Sequence, residues 1–344
     1  MRRKPAVSTS LDLSRLLDII GNFPRQTILV LGDFIVDEFV SGEISRVSRE
    51  APVLILRHRR TQVAPGGGAN AANNLLDLEA RVAPVTAVGD DAAGRVLVEH
   101  FRSKGADTSG IVRVPGWTTP TKTRFLAGWA HTTEQQVLRV DQEPETALPA
   151  RVVKALARKA RARARSSAAV LVSDYGMGAV TPALVRPLRA KLLTLDSRHR
   201  LLDYRGARIT AATPNEPEVE AIFHTRIAGD AKKLDALAAR TRRHLGLGAL
   251  VITRGKDGMV VFEGGRPPHA IPVYGGNDAV DVTGAGDTVI AVFTLALAAG
   301  ATFTEAAHLA NYAGGIVVMK RGTATATRQE LEAAVRGDAT SPSR

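Results

Sequence analysis

A chain of 344 residues, 44% of them hydrophobic, can bury one large core, and having no cysteine excludes disulfides, zinc–thiolate centres and thiol nucleophiles. The 46 basic residues outnumber 34 acidic ones, a net charge of +12 that calls for anionic partners, yet aromatics at 4% leave little for the stacking platforms of single-strand nucleic-acid binders. Met1-Arg-Arg-Lys4 leads into no apolar h-region and no run of about 18 apolar residues follows, so a cytoplasmic protein with no membrane partner is expected.

In chain order, residues 1 to about 10 and 337–344 read as frayed polar ends of a single domain, residues 1–336. Thr27-Ile-Leu-Val-Leu31 reads as a buried strand running into Gly32-Asp33. Asp33 and Asp37 then lie at a strand's C-terminal end, where open α/β sheets gather ligands; they either hold sugar hydroxyls or, for Asp33, cap the turn. Val53-Leu-Ile-Leu56 reads as a strand, and Lys122–Leu126 with Gln136–Val140 as a hairpin. Together they predict a small lid sheet from segments of about 38–64 and 112–141.

Pro65-Gly-Gly-Gly-Ala-Asn70 opens an Ala/Asn/Leu-rich helix. Gly66 and Gly67 permit a ligand to approach the backbone, and Asn70 and Asn74, one turn apart, share a face. Gly66-x-Gly68-x-x-Ala71 imitates a dinucleotide fingerprint poorly, because Pro65 replaces the expected strand and Arg81 stands near the expected acid. Strand-like runs at Val82–Val88, Ala168–Val172, Lys191–Leu195, Ile209–Ala212, Ala249–Thr253 and Met259–Phe262 mostly alternate with helical stretches. That rhythm predicts a Rossmann-like, doubly wound, mostly parallel α/β sheet whose strand ends line a crevice. Between them, Val152, Leu156 and Ala160 alternate with Lys154, Arg158 and Arg161 as a helix with one solvated face would, which makes nucleic acid an unfavoured partner.

Asn215-Glu-Pro-Glu218 starts a helix: Glu218 orders magnesium through water and Asn215 meets phosphate, or the two cap the helix. Thr253-Arg-Gly-x-x-Gly258 is a tight turn after a strand, from which Arg254 reaches phosphate oxygens or is merely exposed.

Asp281-Val-Thr-Gly-Ala-Gly-Asp287 precedes an apolar run of helical length. The N–H groups of Gly284, Ala285 and Gly286 are expected to face an anion, and Asp287, in the first turn, is placed to take a proton from an attacking hydroxyl. Donors beside a base make a phosphotransferase site, although no Walker P-loop occurs.

With Pro65–Asn70 and Asn74 in one place and Asp281–Thr288 in another, residues 27 to about 335 resemble the ribokinase-like (PfkB) carbohydrate kinases. Ser45-Arg-Val-Ser-Arg-Glu-Ala-Pro52, Gln135-Gln-Val-Leu-Arg-Val-Asp141 and Val172-Ser-Asp174-Tyr make the bacterial heptose 7-phosphate kinases the most similar branch. The resemblance implies ATP with Mg²⁺, phosphorylation of a sugar hydroxyl, and a β lid that mediates homodimerisation. It implies that Asp287 is the base, that Gly284–Gly286 form the anion hole, and that Asp33, Asp37, Asn70 and Asn74 bind the sugar. The nucleotide side is implied at Asn215, Glu218, Thr253, Gly255, Gly258 and Asn311, and K⁺ beside Asp281. Asp196-Ser-Arg198 departs from the branch's Asp-Pro-Lys, and Gly128–Thr133 is longer than its usual lid turn. Because no nucleotidyltransferase segment follows, adenylyl transfer is expected of another protein. The expected acceptor is a phosphorylated sugar, with Lys122, Arg124 and Arg139 as candidates to hold its phosphate.

Overall fold

The computed structural model describes residues 11–129, 131–276 and 279–340. The expected frayed ends at 1–10 and 341–344 lie outside the described residues, as does Ala130 of the lid turn. Residues 337–340 are not frayed but belong to a terminal helix.

A first helix, α1 (Leu13–Gly21), leads to β1 (Thr27–Gly32). The chain then leaves the main sheet for β2 (Phe34–Val47) and β3 (Leu54–Gly67), and returns through α2 (Gly68–Asp77), β4 (Arg81–Gly89), α3 (Ala92–Ser103) and β5 (Ile111–Val114). A second excursion makes β6 (Thr121–Gly128) and β7 (Gln135–Gln142). Next come α4 (Ala150–Ser166), β8 (Ala169–Asp174), α5 (Pro182–Val185), β9 (Leu193–Ser197), β10 (Ala211–Ala212), α6 (Glu216–Phe223), α7 (Ala231–Leu245) and β11 (Ala249–Thr253). The chain closes with β12 (Met259–Glu263), β13 (His269–Ile271), α8 (Ala285–Ala298), α9 (Phe303–Val318) and α10 (Arg328–Thr340).

Nine strands form one sheet in the order β13-β12-β11-β10-β9-β8-β1-β4-β5, all running the same way except β12, which is antiparallel to both β11 and β13. β1 alternates as a strand buried on both faces must: Ile28 and Val30 join the core under α2, α8 and α9, whereas Leu29 and Leu31 join the core under α4. α4 buries Val152, Leu156, Ala160 and Ala164 at helical spacing and leaves Lys154, Arg158 and Arg161 exposed, the amphipathic helix expected there. Strand order reverses around β1, which has β8 on one side and β4 on the other, so the C-terminal ends of β1 and β8 open a crevice.

The second sheet, β3-β2-β6-β7, stands over that crevice. Its second segment starts at Thr121 rather than near 112, because Ile111–Val114 pairs with Thr86–Gly89 at the edge of the main sheet. The short run expected at Val53–Leu56 is, from Leu54, the beginning of a 14-residue strand that continues through Pro65. Pro65 is tolerated because β3 is an edge strand, whose outer side needs no N–H. A strand therefore does precede Gly66-x-Gly68, but it belongs to an antiparallel lid and not to a βαβ unit. Among the described residues no helix is long and apolar enough to cross a membrane.

Candidate active site

Gly284, the residue before α8, has a φ of 78° in the left-handed region, and no side chain caps the helix. A Cβ on Gly284 would lie 2.5 Å from Asn70 Nδ2, so close packing as well as conformation calls for glycine. Gly284 and Gly286 line a cleft of about 630 Å³ between the lid and the strand ends. Ala285 departs from expectation: its N–H closes a turn onto the Val282 carbonyl at 3.2 Å, so that donor is already engaged.

Asp287, in the first turn of α8, is 3% exposed and reaches the same cleft. Its Oδ1 accepts from the Tyr175 hydroxyl at 2.8 Å and its Oδ2 from Asn70 Nδ2 at 3.1 Å. Burial pushes its pKa up to about 7, against the opposing pull of those two hydrogen bonds; Asp37 adds to the rise and Lys122 opposes it. An aspartate held near neutrality is suited to general-base work.

Asp37 also lines the cleft, and its carboxylate takes Arg124 Nη1 at 2.6 Å and Thr323 Oγ1 at 2.8 Å. Gly66 lies so close that a Cβ there would sit 2.5 Å from Asp37 Oδ2, and Gly67 lines the cleft itself. Lys122, Arg139 and Arg198 form a cationic wall. Lys122 Nζ stands 5.3 Å from the Tyr175 ring centroid, and burial followed by Arg198 lowers its pKa. Arg139 pairs with Asp141 at 2.9 Å.

Three expected sugar contacts have other work. Asp33 is 1% exposed and spends both oxygens on backbone N–H groups of one loop, those of Tyr175, Met177 and Ala179, at 2.9–3.0 Å. Asn70 divides its amide between the Gly284 carbonyl and Asp287, and Asn74 braces Asn70 while accepting from Thr288 Oγ1. These asparagines point at α8, because α2 and α8 pack directly on one another.

On the far side of the cleft, Asn215 and Glu218 form a capping box: Asn215 Oδ1 accepts from the Glu218 N–H, and Glu218 Oε2 from the Asn215 N–H. Both still line the cleft, as do Thr253 and Asp196. Burial raises the pKa of Asp196 and Glu218, and Glu218 is the largest charge acting on Asp196. Four other expected nucleotide contacts are placed differently. Arg254 Nε pairs with Glu216 at 2.7 Å, Asn311 Nδ2 donates to the Pro272 carbonyl at 2.9 Å, and Gly255 and Gly258 shape the turn at φ 56° and 76°. Asp281 ties Thr283 N–H to Gly322 N–H, each at 2.9 Å, and lines a second cleft of about 490 Å³.

Sequence reasoning gave no role to Tyr175 or His199, which line the main cleft. The signal for Tyr175 was its place directly after a strand ending beside the β1 reversal.

Comparison with known proteins fits this geometry. The family model described as "pfkB family carbohydrate kinase" matches residues 26–330. Among curated relatives, "Bifunctional protein HldE" of Desulfatibacillum aliphaticivorans is 37% identical over 91% of this chain and 64% of its own length. The protein of the same name from Mesorhizobium japonicum is 40% identical over 92% of this chain and 63% of its own. The chain thus spans slightly under two thirds of these relatives. Among solved structures, Arabidopsis thaliana ribokinase, complexed with ribose and ATP, superposes with a TM-score of 0.67 at 18% identity, covering 90% of this chain and 99% of that one. Phosphofructokinase-2 from Escherichia coli, in complex with potassium, gives 0.71 at 16%, covering 91% and 98%. The sheet, the lid and the match over most of its length together establish that the chain belongs to the pfkB family of carbohydrate kinases, phosphotransferases that act on a sugar hydroxyl.

Proposed function

We propose that this protein transfers the γ-phosphoryl group of ATP to the anomeric hydroxyl of D-glycero-D-manno-heptose 7-phosphate, giving the 1,7-bisphosphate for lipopolysaccharide-core precursors. The observation that carries the reaction type is the position of Asp287: a buried carboxylate, its pKa about 7, in the first turn of an uncapped helix at the cleft. The acceptor hydroxyl gives its proton to Asp287 as its oxygen bonds phosphorus and the phosphorus–oxygen bond to ADP breaks. Gly284 and Gly286, at the start of α8, face the negative charge that moves with the phosphoryl group. The choice of acceptor rests on the heptose-kinase segments Ser45–Pro52 and Gln135–Asp141 and on relatives that extend beyond this chain.

Asp196 and Glu218 suit Mg²⁺: burial raises the pKa of both carboxylates at one wall of the cleft, and the charge of Glu218 raises that of Asp196 further, a cost that a divalent cation would relieve. Mg²⁺ bound there supplies charge neutralisation for the triphosphate. K⁺ beside Asp281 belongs to the same reading, since that carboxylate spans two loops next to the helix start. Arg124 is committed to Asp37 in a buried pair, whereas the pair of Arg139 with Asp141 is solvent-exposed and easily exchanged, which leaves Lys122 and Arg139, with Arg198 added, as the cations for phosphate groups. The lid exposes Trp129, Val137, Leu138 and Val140, an apolar surface suited to a second copy of the chain.

Release of ADP from ATP, measured over heptose 7-phosphate, hexose phosphates and unphosphorylated sugars, tests the proposal. Highest kcat/KM on heptose 7-phosphate is expected; turnover confined to plain sugars rejects the substrate class.

A further inference from the structure

Tyr175 stands closer to the reacting carboxylate than any residue given a role so far, and its own loop is held with unusual completeness. Both oxygens of Asp33 are spent on that loop: Oδ2 takes the N–H groups of Tyr175 and Met177, and Oδ1 that of Ala179. Asp174, 2% exposed, takes the Gly176 N–H at 3.0 Å and is itself fixed by Tyr204 Oη at 2.7 Å, Ser197 Oγ at 3.1 Å and the Arg200 guanidinium. Four of the five N–H groups of residues 175–179 are thus bound by two buried carboxylates, leaving the phenol ring as the part of Tyr175 directed at the cleft. Its hydroxyl lies 2.8 Å from Asp287 Oδ1.

An ionised carboxylate only accepts, so the phenol must be the donor in this bond. Burial, with the charge of Asp287 next, keeps the phenol protonated by raising its pKa well above the ordinary tyrosine range. Asn70 donates to the other oxygen, so Asp287 is gripped on both sides and retains a free lone pair on each oxygen for a hydroxyl in the cleft.

Taking Asp287 as the base, the geometry points to Tyr175 as a positioning residue for it, aiming the carboxylate and favouring its ionised form, with Asp33 as the buried anchor that sets the height of the tyrosine. Other charges act on Asp287 from three elements: Asp37 of β2, Lys122 of β6 and Asp196 of β9. Arg198, beyond the end of β9, acts on Tyr175. None of these donates a hydrogen bond to the carboxylate in the way that Tyr175 and Asn70 do.

Tyr175→Phe keeps the ring, and with it the cleft wall and the Lys122 contact, and removes only the donor. Loss of a hydrogen bond to a charged group moves a pKa by about one unit. The acid limb of kcat/KM against pH is therefore expected to move about one unit to higher pH, with kcat at pH 7 down about tenfold and KM for ATP unchanged. Asp33→Asn, which places an amide where an acceptor is needed, is expected to shift the limb in the same direction, and the double variant to add little to either. A fall in kcat with the acid limb unmoved would make Tyr175 a packing residue, and an unaltered rate and limb would remove its role altogether. Asp287→Asn, run alongside, separates the two readings. Retained turnover there overturns the base, while its loss with Tyr175→Phe behaving as wild type overturns only the positioning role.

Discussion

Asp33 and Asp287 are both buried aspartates whose pKa burial raises, to about 6 and about 7, yet they are built for different tasks. Asp33 is saturated by three backbone N–H groups of one loop, whereas Asp287 is held by two side-chain donors and opens onto the cleft. Backbone donors cannot leave without undoing the loop, so the first carboxylate is structural. Side-chain donors orient a carboxylate and leave room for a substrate hydroxyl, so the second can exchange a proton. Burial and a raised pKa do not distinguish a base from a brace; the kind of partner does.

The sharpest way to break this contrast is Asp287→Asn. It is expected to cost about 10²–10⁴-fold in kcat with KM for ATP nearly unchanged, as read from steady-state kinetics on a variant of native circular dichroism. Asp33→Ala reverses the pattern. Three orphaned N–H groups predict a loss of about 3 kcal/mol or more in urea unfolding, and any loss of activity should follow the melted loop. The pH dependence of stability tests both residues together. The folded protein keeps these protons up to about pH 6 at Asp33 and about pH 7 at Asp287, whereas an unfolded aspartate releases its proton near 4. The folded state therefore binds more protons over those windows, and stability falls as pH rises across them. Melts of Asp287→Asn between pH 4 and 8 should lose the slope between about pH 6 and 7 and about half of that between pH 4 and 6, where Asp33 still contributes. An unchanged slope would mean that Asp287 is not protonated in the folded state.

Much of this was legible in the residues. The parallel sheet followed from apolar runs that end in Gly32-Asp33 and Ser173-Asp174, and the start of α8 from two glycines before an apolar stretch. What was not legible was which polar side chains turn toward the cleft. Asn70 and Asn74 share a helical face, as their spacing required, but that face meets α8, which only the packing of α2 on α8 decides. Asp33 lies at a strand's end as expected, yet it binds a loop more than 140 residues later in the chain, a long-range pairing with no local signature. The edge strand through Pro65 was hidden because proline reads as a breaker unless the strand's outer side is known to be unpaired.

Smaller effects refine the map around the two aspartates. Gly66→Ala sets a methyl group 2.5 Å from Asp37 Oδ2, and Asp37 must yield its place beside Arg124 and Thr323. Loosening one charge-assisted hydrogen bond predicts a rise of about tenfold in KM for the sugar with KM for ATP unchanged. An equal rise in both would mean that the effect is not confined to Asp37.

Arg254→Ala should have the least effect. Its guanidinium is paired with Glu216, and a partly exposed pair of this kind is worth about 1 kcal/mol or less. The melting temperature is expected to fall by no more than a few degrees, and KM for ATP to stay within about twofold. The turn that carries Arg254 holds its shape through Gly255 and Gly258 at positive φ, so truncating the side chain leaves Thr253 where it lines the cleft. A tenfold rise in KM for ATP would show that Arg254 leaves Glu216 for the triphosphate when nucleotide binds, and would return it to the phosphate-binding role its place after β11 first suggested.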